Sequence, residues 1–131
     1  MTTETADVDP TVHVVAERLR SGYERQDAVG IGQLYADDAT WELHVGSSHI
    51  LMHGRSAIVS RYAQDLSLPP TLLRWHVRVA PWGAVVEAEA EQGVGRTRAS
   101  FRWVHLLTID QGRITGDVVH CTGALPVPAA G

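Results

Sequence analysis

The sequence contains no lysine: all eleven of its basic residues are arginine. Catalysis through a lysine Schiff base is therefore excluded. The phosphate-cradling P-loop is missing as well, and so is the Gly-x-Ser-x-Gly elbow of a serine hydrolase. A single cysteine, Cys121, leaves no internal disulfide and no paired-cysteine zinc motif. Gly93-Val94-Gly95-Arg96-Thr97-Arg98 fails the dinucleotide fingerprint at its third glycine and lies between strand patterns, so it reads as a loop. No apolar run approaches a membrane span, and Met1-Thr2-Thr3-Glu4-Thr5 lacks the basic and apolar regions of a signal peptide. A net charge of -4 argues against nucleic acid or an anionic membrane as partner. The expected location is cytoplasmic.

What is present is a globular composition. With 131 residues, 44% apolar and four tryptophans, the chain predicts one domain over 1–131. The polar start (1–8) and the small, proline-containing end (123–131) read as flexible tails. Asp9-Pro10 predicts a helix start, and Val12, Val15, Leu19 and Tyr23 form one apolar stripe as far as Arg25. Asp27 can cap a second, short helix with Ile31, Leu34 and Tyr35 inward. Ala39–His44 and Ile50–His53 read as a hairpin, and Ser56–Leu66 as a third helix stopped by Leu68-Pro69-Pro70.

From Thr71 the periodicity becomes alternating. Trp75, Val77 and Val79 oppose Arg74, His76 and Arg78, while Val86, Ala88 and Ala90 oppose Glu87, Glu89 and Glu91. With Arg98 and Arg102 next, the polar sides form basic, acidic and basic rows that cross-strand pairing explains without catalysis. The last two strands span Arg98–Cys121 around Asp110-Gln111-Gly112, read as a three-residue loop with Gly112 left-handed. If Ile109 pairs with Arg113, Leu107 faces Thr115 and His105 faces Asp117. A histidine and a carboxylate then meet on the face carrying Phe101 and Trp103. His120 falls on the other face by the same parity. The predicted fold class is α+β: N-terminal helices packed into a curved antiparallel sheet, a cone-shaped α+β barrel with an internal apolar pocket.

Tyr35-Ala36-Asp37-Asp38-Ala39-Thr40, then Gly54-Arg55 and Tyr62, resemble the ketosteroid isomerase and SnoaL-like polyketide cyclase group of the nuclear-transport-factor-2-like superfamily. Ile109-Asp110-Gln111-Gly112-Arg113-Ile114 resembles that group's penultimate hairpin, and the likeness runs from about Val12 to Thr122. Residue by residue, the isomerase's general-base aspartate falls at Leu43 and its helix tyrosine near Leu19, four residues from Tyr23. Its second oxyanion donor falls at His105, and its supporting tyrosines match Tyr35 and Tyr62. Steroid isomerase chemistry is thus not implied. The SnoaL-like cyclases instead pair a pocket histidine with an aspartate on the last strands, which His105 and Asp117 resemble.

The resulting catalytic candidates are His105 and Asp117, with Tyr62 or Tyr23 to stabilise developing negative charge on oxygen. Trp41, Trp75, Phe101 and Trp103 are expected to wall the pocket. Leu43 and Leu19 stand where the isomerases carry catalytic groups, and Val119 and Cys121 share Asp117's face; Cys121 has no activating base and reads as inert. His44, His49 and His53 cluster near a hairpin, with no carboxylate seen at ligand spacing, so no metal and no cofactor are expected. These residues predict a cofactor-independent cyclase, isomerase or dehydratase acting on a small hydrophobic carbonyl compound such as a polyketide or terpenoid intermediate. The alternatives are epoxide opening, with Asp117 and Arg113 or Arg55, and a non-catalytic binding or assembly module. The resemblance also implies a homodimer, with Val104, Leu106, Ile114 and Val118 assigned to an apolar outer face.

Overall fold

A computed structural model describes residues 10–127; Asp9 and the predicted tail 1–8 lie outside them. The elements, in order, are α1 (Pro10–Arg25), α2 (Ala28–Gly32), β1 (Tyr35–Val45), β2 (Ser48–His53), α3 (Arg55–Asp65), β3 (Thr71–Ala80), β4 (Gly83–Gln92), β5 (Ala99–Asp110), β6 (Arg113–Cys121) and β7 (Leu125–Pro126). The helices form where apolar residues recur every three or four positions. Val12, Val15, Ala16 and Leu19 of α1 and Ile58 and Tyr62 of α3 are buried by that spacing. Asp27 caps α2, its Oδ1 accepting from the Gly30 N–H at 2.9 Å.

The strands form one curved sheet in the order β2-β1-β6-β5-β4-β3, with β7 added to β5. Every pair is antiparallel except β1 with β6, which is parallel, so the sheet is mixed. Three reversals of the β3–β6 meander bring β6 beside β1 pointing the same way. Helices fill the concave side of an open, cone-like sheet. The predicted charge rows pair as expected, with Arg78–Glu87 at 3.2 Å, Arg102–Glu89 at 3.2 Å and Arg98–Glu91 at 3.4 Å. Part of the segment read as a flexible tail is ordered, because Leu125 and Pro126 pair with Ser100 and Ala99.

The β5–β6 hairpin differs from the predicted register. Asp110 pairs with Arg113 across a two-residue turn, and Gln111 and Gly112 both take positive φ (51° and 76°), as a type I′ turn requires. Thr115 is then an extra residue: Ile109 pairs with Ile114, but Thr108 pairs with Gly116. This bulge changes which side each β6 residue faces. Before the bulge the two-residue turn alone sets the faces, so Ile114, assigned to the outer face by simple alternation, pairs with Ile109 and is fully buried inside. Beyond the bulge Leu107 pairs with Asp117 and His105 with Val119. The turn shifts the register by one residue and the bulge by one more, so Asp117 returns to the interior beside His105 as a diagonal neighbour.

Candidate active site

Among the described residues, His105 and Asp117 are the two buried polar side chains other than tyrosine, at 0% and 1% exposure. His105 Nδ1 lies 3.0 Å from both carboxylate oxygens. At the far side of the ring, Nε2 lies 3.0 Å from Trp103 Nε1 and 3.1 Å from the Tyr23 hydroxyl. An indole N–H can only donate, so Nε2 must present its lone pair and Nδ1 must carry the proton given to Asp117. Tyr23 then also donates toward Nε2. Asp117 accepts a second bond from the Tyr35 hydroxyl at 2.6 Å, and Tyr35 in turn accepts from Tyr62 at 2.8 Å. The carboxylate charge is met entirely by hydrogen bonds from neutral groups, with no arginine on it.

All three tyrosines of the chain belong to this network. Burial is the main cause that holds each hydroxyl well above the usual phenol range, and the Asp117 charge adds to it for all three. Each is therefore a proton donor at neutral pH. Aromatic packing fixes their positions: Tyr23 touches the rings of Tyr62, Trp75 and Trp103 with centroids 5.4–5.7 Å apart.

Beside the network lies a cavity of about 320 Å³, walled largely by apolar groups. Tyr23, Trp41, Leu43, Phe101, Trp103, Val119 and Cys121 line it, and Arg61 and Asp65 of α3 stand on its wall. The space exists because β4 is small-sided inward, with Ala88 opposite Trp75 and Trp103 and Ala90 opposite Phe101. His105, Asp117, Tyr35 and Tyr62 are outside the lining, one layer behind Tyr23 and Trp103. The Trp41 indole N–H is buried without a protein partner. Arg61 sits 5.8 Å over the Trp41 ring and pairs with Asp65 at 3.1 Å; burial raises the Asp65 carboxyl while Arg61 pulls it back down.

The sequence profile of the SnoaL-like domain matches residues 16–116, from α1 through the β6 bulge. The chain belongs to the SnoaL-like domain family. No curated protein matches it in sequence. Among solved structures this SnoaL-like chain is similar to SalBIII, an epoxide hydrolase/cyclase-like enzyme of pyran ring formation in the polyether salinomycin, at 21% identity and TM-score 0.71, over 87% of this chain and 92% of that one. A candidate polyketide cyclase of Xanthomonas campestris pv. campestris superposes with TM-score 0.71 at 13% identity, over 85% and 90% of the two chains. An NTF2-like protein of Burkholderia xenovorans LB400 does so with TM-score 0.68 at 15% identity, over 86% and 89%. At these identities the likeness is one of fold.

Within the SnoaL-like frame several sequence assignments move. Tyr23, not Tyr62, is the tyrosine that lines the cavity; Tyr62 is spent on Tyr35. Leu19 is fully buried under α1, and Trp75 packs behind Tyr23, so neither lines the cavity. The arginines offered to Asp117 are elsewhere: Arg55 binds Asp37 at 2.8 Å and the Tyr35 carbonyl at 2.7 Å, and Arg113 is exposed at the turn. Sequence reading missed the Trp103 N–H bond to Nε2, although residues two apart on a strand share a face. It also missed Arg61 and Asp65, whose i, i+4 spacing on α3 was available. A carboxylate does stand near His44 and His49: Glu42, two residues before His44 on the same strand.

Among the described residues, no helix is long and apolar enough to cross a membrane.

Proposed function

We propose that this SnoaL-like protein is a cofactor-independent acid–base enzyme that moves a proton on a small hydrophobic carbonyl compound, in a cyclisation, isomerisation or dehydration. One observation carries the reading: Tyr23 is the one tyrosine that both lines the cavity and bonds the buried His105–Asp117 pair. His105 cannot touch a ligand directly. A proton taken from carbon next to a carbonyl passes to Tyr23 Oη as the Tyr23 proton passes to His105 Nε2. Asp117, already bonded at Nδ1, balances the imidazolium that forms. The Trp103 N–H then faces a protonated nitrogen, which favours the proton's return. That suits a shuttle that gives the proton back at another atom. The aromatic walls suit a flat, apolar substrate.

The test needs no knowledge of the natural substrate. α-Proton exchange of 2-tetralone in deuterated water, followed by proton NMR, should be faster with the protein than with buffer. Tyr23→Phe and His105→Gln should each remove about 10²–10⁴-fold of that gain. Exchange no faster than buffer, or unchanged in Tyr23→Phe, overturns the reading and leaves a binding module as the better account.

Epoxide opening is a second reading, supported by the Arg61–Asp65 pair on the cavity wall. There Asp65 would orient water and Tyr23 would protonate the epoxide oxygen. Hydrolysis of styrene oxide abolished by Asp65→Asn would favour it. The proposal also includes a second copy of the chain against the outer sheet face, where Val104, Leu106 and Val118 are half-buried; a monomer in sedimentation equilibrium would remove that part.

A further inference from the structure

The outer face of the same sheet carries a second group of chemistry-bearing side chains. His49, His44 and His120 occupy one cross-strand row over β2, β1 and β6, His44 pairing with both of the others. Their rings stack nearly parallel, His44 on His49 at 4.4 Å and 9°, and His44 on His120 at 4.6 Å and 11°. Glu42 precedes His44 by two residues and so shares its face. Its Oε2 accepts from Nε2 of His44 at 3.2 Å and of His49 at 3.1 Å. Those bonds hold the Glu42 carboxyl below its usual range.

We propose that Glu42, His44 and His49 form a binding site for one divalent transition-metal ion of the Zn²⁺ class. Two imidazoles and a carboxylate are a zinc donor set, with water in the fourth position. The three ligand atoms lie within 4.8 Å of one another. Metal–ligand bonds of ~2.0–2.1 Å put tetrahedral ligands ~3.3–3.4 Å apart, and both carboxylate–imidazole separations are already close to that. The two N–H groups now aimed at one oxygen give way to one ion. Each neutral imidazole shifts its proton from Nε2 to Nδ1 and turns its freed lone pair to the metal, so no proton need leave the site. The side chains can make that turn because they are not locked: His44, His49 and Glu42 are 35%, 53% and 37% exposed. His120 is outside the ligand set and packs against the His44 ring. His53, the neighbour suggested by sequence proximity, pairs with Thr40 four residues along β2 and takes no part.

Titration of the untagged full chain with Zn²⁺ tests the site, with Co²⁺ absorption reporting ligand geometry. One ion per chain is expected, with the visible bands of tetrahedral Co²⁺. His44→Ala and His49→Ala should each weaken Zn²⁺ by more than the ~10–100-fold that loss of an outer-shell partner costs. His53→Ala should leave the affinity unchanged. Glu42→Gln preserves size and shape and covers the case of a misfolded alanine variant; it should weaken Zn²⁺ at least ~10-fold. Wild-type affinity in Glu42→Gln overturns the proposal. Equal losses in His53→Ala and His44→Ala, or wild-type uptake no tighter than that of a His44→Ala/His49→Ala double variant, overturn it too.

Discussion

The indole N–H of Trp103 lies 3.0 Å from Nε2 of His105, two residues along the same strand face. It determines which nitrogen of a buried histidine is free to take a proton. In ¹⁵N-histidine NMR at neutral pH, His105 should show the Nδ1–H tautomer. In Trp103→Phe, Tyr23 remains as the one donor to Nε2 and the Tyr23–His105 bond should shorten. A protonated Nε2 in the wild-type spectrum would contradict the hydrogen-bond assignment and the direction of proton flow built on it.

The hydroxyls behind the cavity should differ in worth according to their distance from the charge. Tyr35→Phe removes a donor from the buried Asp117 carboxylate and should cost about 1–3 kcal/mol. Tyr62→Phe leaves that bond in place and should cost about 0.5–1.5 kcal/mol. Urea unfolding of the two variants checks the order; a larger loss for Tyr62→Phe would mean that Asp117 leans on something other than Tyr35.

Alkaline stability follows from the same three residues. Their folded pKa values lie above the ordinary phenol value of about 10, so the unfolded chain ionises first as pH rises. The stability they contribute is complete below about pH 10 and declines above it toward the folded values. Because the chain has no other tyrosine, phenolate absorbance reports this network alone. It should appear together with loss of the circular dichroism of the fold. Phenolate formation well before unfolding would show that at least one hydroxyl is open to solvent.

Cys121 offers a probe of the cavity. Burial raises its thiol pKa, and the Gly123 backbone N–H and the Arg61 charge only partly offset that. Iodoacetamide should label it more slowly than free cysteine at the same pH, and 2-tetralone should slow it further. Labelling that an apolar ligand leaves unaffected would place that ligand elsewhere.

How much of this was readable in the chain depends on the range of the interaction involved. The α1 stripe, the Asp27 cap and the alternation of β3–β5 are local patterns, and the helices and strands form where those patterns lie. The mixed sheet is not local, since β1 and β6 are separated by the whole meander. The meeting of His105 and Asp117 was anticipated through a register that does not occur: two one-residue shifts, at Gln111-Gly112 and at Thr115, restore the parity. Ile114 lies between those shifts, and there alternation alone put the side chain on the wrong face. Which tyrosine reaches the cavity was decided by packing, because Tyr62 could pair with Tyr35 only once α3 had docked on β1.

β6 thus holds two complete sets of side chains, and the bulge at Thr115 selects between them. Flattened into regular alternation from the Ile109–Ile114 pair with Thr115 kept, β6 would offer the interior Val118 and His120 and turn Asp117 toward water, whereas deleting Thr115 would leave Asp117 opposite Leu107. The acid that the imidazole depends on is placed by one pleat of backbone that touches neither of them, and the chemistry could be silenced by flattening that pleat with every participating residue intact.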